Sequence, residues 1–467
     1  MPDTIYDVAI IGSGPAGYTA AIRAGQLGLK AALMEKDPYL GGTCLHVGCI
    51  PTKVLLHHAD VYDHFKNGAE LGFEVSGLKV NWANILSRKE KIVKKHAKGI
   101  EFLFKKNKVE WKLGRGRYEG PGKISVEKDG KKEILEAANI LMVSGSEARA
   151  LPGIEPDHKQ ILTNRSILEL PTIPKSLIVV GAGAVGVEFA SIYNSFGTEV
   201  TILEALPRVV PVEDEEISAE LDKSFRKKNI QIQTNCKVES VKKDAKGVTV
   251  SFTDKDGKKQ TLQAEKLLLA VGRMPLTEDC GLEKSKAKLE RGFVHAGENM
   301  ETAEKGLYAI GDIVAGLPQL AHAAMMEGII AVTHIAGKPT QQIRKDRIPN
   351  ATYCEPQIGS IGLTEKQARD AGHAVKMGKF PFVGNSKATI LGSHGGFIKV
   401  VSEEKYGEVL GIHIIGPLAT EILAEAAAVL NLEGTIDDLM NMVHAHPTVW
   451  EAMGDAFASV RGLQINV

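Results

Sequence analysis

The chain has 467 residues, 43% of them hydrophobic and 24% charged, and equal numbers of basic and acidic residues give a formal net charge of zero. A chain of this length exceeds what one hydrophobic core organises, so we expect two to four domains. The composition is that of a soluble globular protein, and the balanced charge does not indicate nucleic-acid binding or attachment to a membrane surface.

Neither a targeting segment nor a disulfide framework is predicted. The chain enters an apolar strand at Tyr6 and contains no signal-peptide, transit-peptide or membrane-spanning pattern. Its five cysteines are too few for a secreted disulfide scaffold and fit a reducing compartment. We therefore expect a cytoplasmic location, although a mature protein of an organellar matrix has the same pattern.

The first strand runs into a glycine-rich turn. Residues 7–11 lead into Gly12, Gly14 and Gly17 of a G-x-G-x-x-G pattern, and the next apolar strand ends at Glu35. In such a turn the first glycine allows the bend, the second lets a pyrophosphate approach, and the third lets the helix pack on the strand. The helix N-terminus favours the phosphate charge, and the glutamate accepts hydrogen bonds from a ribose. One copy is weak evidence, because a turn without a ligand has the same pattern.

Cys44 and Cys49 follow in the glycine-rich segment 41–53. Five residues of α-helix rise by about 7.5 Å, which is more than the roughly 4.4–6.8 Å between the Cα atoms of bridged cysteines. A disulfide between them therefore needs a bent backbone, which Gly48 and Pro51 permit.

Two other interpretations of this pair are open. A zinc site usually has a second ligand pair nearby, which does not follow here, so no metal site is predicted. Single cysteines are commonly isolated buried thiols. The position directly after a nucleotide fingerprint favours a dithiol that exchanges electrons with a cofactor. The remaining cysteines are interpreted as structural thiols: Cys236, Cys280 and Cys354.

The glycine pattern returns 169 residues later. The strand 176–180 leads into Gly181, Gly183 and Gly186, and the following strand closes at Glu204. The glycines and the closing glutamate share this single offset, so the chain contains an internal repeat. Two copies, each after an apolar strand and ahead of a glutamate, strongly indicate two dinucleotide sites.

Two further segments follow the second copy. The apolar run 267–271 ends at Gly272 and indicates a strand that returns to the first domain. Another apolar strand ends in Gly311 and Asp312. A carboxylate in that place can accept a hydrogen bond from a cofactor hydroxyl, although a simple strand-end turn explains the same residues. From about Ile348 the pattern of strands and a helix predicts a separate α+β domain.

The C-terminal segment contains two histidines and a carboxylate. His446 is the candidate general base, because an unperturbed imidazole titrates near neutral pH. Glu451 is the candidate residue that orients its ring, and Pro447 restricts the backbone at His446. A structural histidine is the alternative interpretation.

As a set, these motifs resemble the flavin-dependent pyridine nucleotide-disulfide oxidoreductases, and among them the dihydrolipoamide dehydrogenases. The resemblance covers the whole chain. It implies an α/β fold with two Rossmann-like dinucleotide-binding domains plus a C-terminal α+β dimerisation domain. The implied limits are 1–148 and 272–347 for the two parts of an FAD-binding domain, 149–271 for an NAD-binding domain and 348–467 for the dimerisation domain.

The resemblance also implies a role for each site residue. Cys49 is the thiol against the flavin and Cys44 the thiol that exchanges with substrate. His446 and Glu451 form an acid–base dyad that reaches the disulfide of the other subunit, so a homodimer is expected. The remaining predicted residues are the catalytic pair Lys53 and Glu188 near the reactive flavin nitrogen, the FAD-binding residues Gly12, Gly14, Gly17, Glu35, Lys53, Gly311 and Asp312, and the NAD-binding residues Gly181, Gly183, Gly186, Glu204 and Gly272.

Glu204 helps to choose the second cofactor. A carboxylate in this place suits the free 2′-hydroxyl of NAD and repels the 2′-phosphate of NADP. Arg208 lies nearby, but Glu204 holds the discriminating position, so NAD is favoured.

Two positions depart from the family pattern. His46 stands where family members often carry asparagine, and Trp450 stands where a small residue usually precedes the glutamate. Neither departure removes a catalytic group. Trp450 is placed to narrow the substrate channel or to alter the pocket around His446.

The resemblance predicts oxidation of dihydrolipoamide to lipoamide with reduction of NAD⁺ to NADH, within a 2-oxo acid dehydrogenase complex or the glycine cleavage system. The expected partners are lipoyl groups on acyltransferase or carrier proteins, without nucleic acid or membrane insertion. One alternative is an NAD(P)H-dependent reductase of another disulfide or of a metal ion in the same family; mercuric reductases add a C-terminal cysteine pair, which 462–467 lacks. The second alternative is a flavoprotein with a structural role. The intact catalytic residues argue against this alternative.

Overall fold

A computed structural model describes residues 5–466, and the described chain divides into two compact units. Unit 1 comprises the described residues up to Val54 together with Ala83–Arg149 and Arg273–Ile343. Unit 2 comprises Leu55–Trp82, Ala150–Gly272 and the described residues from Arg344 onward.

The strands in chain order are β1 Ile5–Ile11, β2 Ala31–Glu35, β3 Glu110–Leu113, β4 Arg115–Gly120, β5 Lys123–Lys128, β6 Lys131–Met142, β7 Ser146–Ala148, β8 Ile161–Leu162, β9 Ser176–Val180, β10 Glu199–Leu203, β11 Gln231–Gln233, β12 Lys237–Asp244, β13 Gly247–Thr253, β14 Lys259–Ala264, β15 Lys266–Leu269, β16 Arg273–Pro275, β17 Leu289–Glu290, β18 Phe293–Val294, β19 Leu307–Ala309, β20 Asn350–Thr352, β21 Gln357–Gly362, β22 Val375–Pro381, β23 Phe397–Glu403 and β24 Val409–Gly416.

The α-helices are α1 Pro15–Gln26, α2 Gly42–Val47, α3 Cys49–Lys66, α4 Trp82–Lys106, α5 Asn164–Ile167, α6 Ala184–Ser195, α7 Glu215–Lys227, α8 Ala321–Ile335, α9 Glu365–Asp370, α10 Ser386–Ile390, α11 Ala419–Asn431, α12 Ile436–Leu439 and α13 Glu451–Ser459. Within residues 5–466, no helix has both the length and the apolar character needed to cross a bilayer.

Unit 1 is built on a mixed sheet whose parallel part is β3-β2-β1-β6-β19. Strand β2 and the second half of β1, residues 8–11, are buried, as apolar strands covered on both faces must be. Alternate residues of β1 enter two different cores, Val8 and Ile10 on one face and Ala9 and Ile11 on the other. Helix α1 packs in the first of these cores with α8. The first glycine turn therefore lies at the carboxyl end of a central parallel strand.

Unit 2 contains a similar parallel sheet and two antiparallel sheets. Its parallel sheet has the order β11-β10-β9-β15-β8, and the antiparallel strands β12-β13-β14 form a separate sheet. The C-terminal sheet, β20-β21-β24-β23-β22, is antiparallel, and one face of α11 and of α13 packs in its core. These elements confirm the predicted α/β class and the α+β character of the C-terminal part.

The unit boundaries fall beside residues 149 and 272. Strand β19 joins the sheet of β1 although 296 residues separate Ile11 from Leu307. Residues 55–82 cluster with unit 2. The predicted domain limits stay a prediction in their detail.

Candidate active site

The two glycine turns have matching backbone geometry. Gly12 and Gly181 both have positive φ angles, 108° and 102°. A Cβ atom on Gly12 would lie 2.2 Å from the Val143 carbonyl oxygen, and one on Gly181 would lie 2.4 Å from that of Ala270. Only glycine allows this bend and this close approach.

The second and third glycines of each turn have opposite surroundings. A Cβ on Gly17 or Gly186 would lie within about 2 Å of a carbonyl oxygen of its own turn. At Gly14 and Gly183, by contrast, no heavy atom lies within 4 Å of the Cβ position. Each is the N-cap of a long helix and makes no side-chain cap hydrogen bond. The open space and the free helix N-terminus fit the pyrophosphate of a dinucleotide at both turns.

The closing glutamates make the same contacts in both copies. Glu35 Oε2 accepts hydrogen bonds from Ser13 N at 2.9 Å and Ser13 Oγ at 2.6 Å, and Glu204 Oε2 accepts one from Ala182 N at 2.5 Å. The other oxygen of each accepts the N–H two residues onward, from Asp37 and Leu206. Both side chains are only 7% exposed. Each carboxylate is thus fixed beside its turn, and a carboxylate retains further acceptor sites for ribose hydroxyls.

The Cys44–Cys49 segment is broken as its spacing requires. Helix α2 ends at Val47, Gly48 adopts φ −140° and ψ −119°, and α3 begins at Cys49. A Cβ on Gly48 would lie 2.9 Å from the Thr43 carbonyl oxygen, so a side chain is disfavoured there. Pro51 lies within the first turn of α3, where a missing N–H is tolerated, and the break is therefore made by Gly48.

The two thiols are adjacent and not equivalent. They are present as free thiols, both partly buried. A hydrogen bond to Cys49, burial and the negative charge of Cys49 raise the pKa of Cys44 far above its ordinary value, while the Lys53 ammonium opposes the shift. The hydrogen bond to Cys49 and burial thus favour the protonated form of Cys44.

Lys53 and Glu188 are placed in different ways. Lys53 lies on α3 one turn after Cys49. Glu188 lies on α6, is 5% exposed and accepts a hydrogen bond from Tyr353 N at 2.9 Å. They belong to unit 1 and unit 2, respectively, and their pairing stays a prediction.

Asp312 is held by residues that the sequence did not single out. Its carboxylate accepts a hydrogen bond from the Ser146 hydroxyl. Arg273 donates to both the Oγ and the carbonyl oxygen of Ser146 at 2.6 Å, and its Nε lies 3.8 Å from Asp312. Gly311 has φ 79° and turns the chain just before the carboxylate. Gly272 has φ 105° and no atom within 4 Å of its Cβ position.

His446 and Glu451 are in hydrogen-bond contact in the C-terminal part of the chain. Nδ1 of His446 lies 2.9 Å from Glu451 Oε1, and Thr448 N donates to the other carboxylate oxygen at 2.8 Å. The His446 side chain is 73% exposed, while that of Glu451 is 28% exposed. Burial opposes ionisation of Glu451, but the hydrogen bonds from Thr448 and His446 and the nearby histidine charges lower its pKa below the ordinary value. An ionised carboxylate orients a ring whose Nε2 points away from it.

The sequence matches two known protein domains. Residues 6–328 match the pyridine nucleotide-disulphide oxidoreductase family, and residues 348–457 match the dimerisation domain of the same family. The chain belongs to the pyridine nucleotide-disulphide oxidoreductases. This confirms the predicted family, and the second match confirms that the C-terminal domain is of the dimerisation type.

Relatives in this family cover the chain almost completely. Dihydrolipoyl dehydrogenase of Bacillus subtilis is 41% identical over 99% of both chains, and that of Rhizobium etli is 42% identical with the same coverage. The crystal structure of LpdA from Mycobacterium tuberculosis superposes with a TM-score of 0.90 at 27% identity, covering 97% of this chain and 99% of that one. The predicted flavin-dependent disulfide oxidoreductase is confirmed.

The predicted cofactors, FAD and NAD, are also confirmed as those of the family. The two open glycine turns, each with a fixed glutamate, are the local features of this chain that fit them.

Two other side chains of this oxidoreductase were missed in the sequence. Tyr18, one residue after Gly17, lies within electrostatic reach of Cys44 and Cys49; burial and these two cysteines raise its pKa. Glu327 on α8 is fully buried, and its Oε2 accepts a hydrogen bond from Gly311 N at 2.6 Å. Tyr18 has a detectable signal, a polar ring next to the third glycine. Glu327 has none, because its burial arises from the packing of α8 on α1.

Glu327 predicts a pH-dependent stability. Burial, opposed by the Gly311 hydrogen bond and supported by the Asp312 charge, raises its pKa from 4.5 to about 7. The folded protein therefore binds the proton more tightly than the unfolded chain. The stabilisation of the fold by protonated Glu327 is complete below pH 4.5 and is lost as the pH rises to about 7. Glu327→Gln imitates the protonated acid. Between acid and alkaline pH, its free energy of unfolding is expected to rise by roughly 3 kcal/mol relative to that of the parent.

Urea unfolding on either side of this range measures the effect. The exposed Glu74→Gln, which removes a carboxylate elsewhere in the chain, is the control. If the free energies of unfolding of the parent and of Glu327→Gln differ by the same amount at both pH values, the prediction is contradicted.

His46 and Trp450, the two departures from the family pattern, both pack on the protein itself. A ring nitrogen of His46 lies 2.9 Å from the Leu40 carbonyl oxygen, and its ring lies against Tyr39 with centroids 4.8 Å apart. Trp450 is partly buried against the C-terminal core. An effect of Trp450 on the substrate channel stays a prediction.

Proposed function

We propose that this protein is a dihydrolipoyl dehydrogenase that oxidises dihydrolipoamide to lipoamide and reduces NAD⁺ to NADH. The observation that carries the proposal is the thiol pair Cys44 and Cys49 at the break between α2 and α3. It follows directly on a dinucleotide turn, in a chain that is 41–42% identical along its length to enzymes of that name.

The thiol exchange uses the Cys44–Cys49 disulfide of one subunit and His446 of the other. In the oxidised enzyme Cys44 and Cys49 form a disulfide. Nε2 of His446 takes the proton of one substrate thiol, and the resulting thiolate attacks Sγ of Cys44, which releases Cys49 as a thiolate. The second substrate thiol then attacks the substrate sulfur of the mixed disulfide and passes its proton to Cys44, so lipoamide leaves, Cys44 is a thiol and the first proton stays on His446. The raised pKa of Cys44 favours this final distribution of charge.

The remaining site residues hold the cofactors. When bound, FAD would supply the two-electron chemistry that links the thiol pair to NAD⁺. Asp312 and Glu35 are proposed to bind FAD hydroxyls at the first turn. Glu204 is proposed to bind the NAD ribose at the second turn. Lys53 and Glu188 are proposed to flank the flavin.

The partners follow from the same proposal. The dimerisation domain at 348–457 supports a homodimer in which the His446–Glu451 dyad serves the disulfide of the other subunit. The electron donors are lipoyl groups carried on acyltransferase or carrier proteins. A cytoplasmic or organellar matrix location is proposed, since a chain with few cysteines fits a reducing compartment.

The decisive assay compares substrates on the purified flavoprotein. We expect reduction of NAD⁺ by dihydrolipoamide, and NADH-driven reduction of lipoamide, with little turnover of glutathione disulfide or Hg²⁺. Anaerobic dihydrolipoamide should also produce the long-wavelength absorbance of a thiolate beside an oxidised flavin. A strong preference for NADPH together with another oxidant would instead support the alternative reductase.

The choice between NAD and NADP should depend on the charge of Glu204. Ala182 N and Leu206 N donate to different oxygens of Glu204, so Glu204→Gln keeps an acceptor for one of them, and it removes the repulsion of a 2′-phosphate. We expect the ratio of kcat/KM for NADH over NADPH to fall by about 10–100-fold, because like-charge contacts cost several kcal/mol. Steady-state kinetics with both nucleotides measure the ratio. An unchanged ratio would remove Glu204 as the selecting residue.

A further inference from the structure

A second histidine–carboxylate pair lies two residues before the proposed base. Nε2 of His444 lies 3.0 Å from Glu425 Oε1. These side chains are 10% and 13% exposed, whereas His446 and Glu451 are 73% and 28% exposed. We call His444 and Glu425 the inner pair, and His446 and Glu451 the outer pair. The outer pair is exposed enough to contact a substrate, whereas the inner pair is too buried for such contact.

The inner pair ties a connecting segment to a rigid helix. Glu425 lies on α11, whose buried face contributes Ile422, Ala426 and Val429 to the C-terminal core. His444 lies in the segment between α12 and α13, which also carries His446. Neutral or protonated, the His444 ring can donate its Nε2–H to the Glu425 carboxylate. The hydrogen bond therefore fixes the backbone two residues from the base.

The other edge of the His444 ring lies against α13. A Cβ on Gly454 would be 3.3 Å from His444 Nδ1 and 3.5 Å from its Cε1. Gly454 is three residues after Glu451, so the ring contacts the helix one turn from the carboxylate. Glycine inside a helix is unfavourable relative to alanine. Its presence here leaves room for the ring.

The two pairs are also linked electrostatically. The charge of His444 is among the groups that lower the pKa of Glu451, after partial burial and the contacts of Thr448 and His446. The inner pair thus lies within reach of both members of the outer pair, one through the backbone and the other through α13.

We propose that His444, held by Glu425 and seated against Gly454, is a positioning residue for the outer pair. It fixes the segment that carries His446 relative to the first turn of α13, so that Nδ1 of His446 stays on Glu451 and Nε2 keeps its direction. The inference rests on the proposed function, in which His446 is the base. A misplacement of about 1 Å in such a group can cost roughly 100-fold in rate.

Variants of the inner pair test this role in the FAD-loaded full-length enzyme. For His444→Ala and Glu425→Ala we expect kcat with dihydrolipoamide and NAD⁺ to fall by about 10–100-fold, with a changed pH profile. Glu425→Gln retains the acceptor oxygen and should recover most of the rate. Oxidation of NADH by ferricyanide, which needs no base at the disulfide, should be retained in all three.

Gly454→Ala tests the same contact without touching the inner pair. Its methyl group displaces the His444 ring, so we expect a loss of about three- to tenfold with dihydrolipoamide and no loss of thermal stability. Gly99→Ala is the matched control, since Gly99 lies on α4, is exposed and has no atom within 4 Å of its Cβ position. If His444→Ala does not fold as a flavoprotein, the comparison of Gly454→Ala with Gly99→Ala still tests the positioning role of His444.

The outcomes separate the inference from the proposed function. Full lipoamide activity in His444→Ala or in Gly454→Ala, beside a strong loss in His446→Ala, would overturn the positioning role alone. Equal losses with dihydrolipoamide and ferricyanide would also overturn it, since general damage explains them. Full lipoamide activity in His446→Ala would overturn the role of His446 as base and the positioning role with it, whereas absence of lipoamide activity in the parent would overturn the proposed function.

Discussion

Replacement of Cys49 by serine is expected to abolish lipoamide turnover, with a loss of about 10,000-fold or more, as for removal of other covalent nucleophiles. Without the second sulfur the oxidised pair does not form, and a substrate thiolate finds no disulfide to attack. The assay is NAD⁺ reduction by dihydrolipoamide in the FAD-loaded enzyme. Oxidation of NADH by ferricyanide should persist, because it does not pass through the thiol pair.

Cys44→Ser is the informative comparison for Cys49→Ser. Turnover should be lost equally, since the disulfide again cannot form. The reduced proteins should nevertheless differ: the hydrogen bond to Cys49 and burial raise the pKa of Cys44, so we expect Cys49 to be the thiol that ionises. Long-wavelength thiolate–flavin absorbance is therefore expected in Cys44→Ser and not in Cys49→Ser. The reverse pattern would exchange the roles of the two cysteines.

Cys236→Ser controls for the loss of a thiol as such. Cys236 is 3% exposed in unit 2 and donates a weak hydrogen bond to the Thr234 carbonyl oxygen, which a serine hydroxyl can replace. Its activity should stay close to that of the parent. A large loss in Cys236→Ser would mean that stability, not redox chemistry, governs the cysteine variants.

The parts of the site that could be predicted from the sequence are those fixed by local geometry. Strands β2 and β9 have the predicted limits, because apolar runs bounded by glycine turns fix them. The bend between Cys44 and Cys49 followed from a helix rise that is too long for a disulfide. The contact of His446 with Glu451 joins residues five apart.

The parts that could not be predicted depend on residues far apart in the chain. Glu327 reaches Gly311 only because α8 packs on α1, where a Cβ on Gly328 would lie 2.8 Å from the Ala16 carbonyl oxygen. Ser146 meets Arg273 across 127 residues. No periodicity or motif predicts such long-range contacts, since several elements must pack together before these side chains come close.

Replacement of His446 by alanine should have the second-largest effect and the most diagnostic pH dependence. Removal of a general base costs about 100- to 10,000-fold, so lipoamide turnover should fall by that factor near neutral pH. The deficit should narrow as the pH rises, because the substrate thiol then ionises without help. A purely structural defect would not be repaired in this way.

Glu451→Gln should give a smaller loss than His446→Ala. The amide oxygen can still accept from Thr448 N or from His446, so ring orientation is partly kept, but the charge that stabilises a protonated imidazole is gone. Stopped-flow reduction by dihydrolipoamide between about pH 6.5 and about pH 9 separates the two variants, since it isolates the thiol step from hydride transfer. If both variants lose the same fraction of the reduction rate at every pH, the dyad only holds the C-terminal segment in place. The reason is that only loss of proton transfer makes the deficit depend on the ionisation of the substrate thiol.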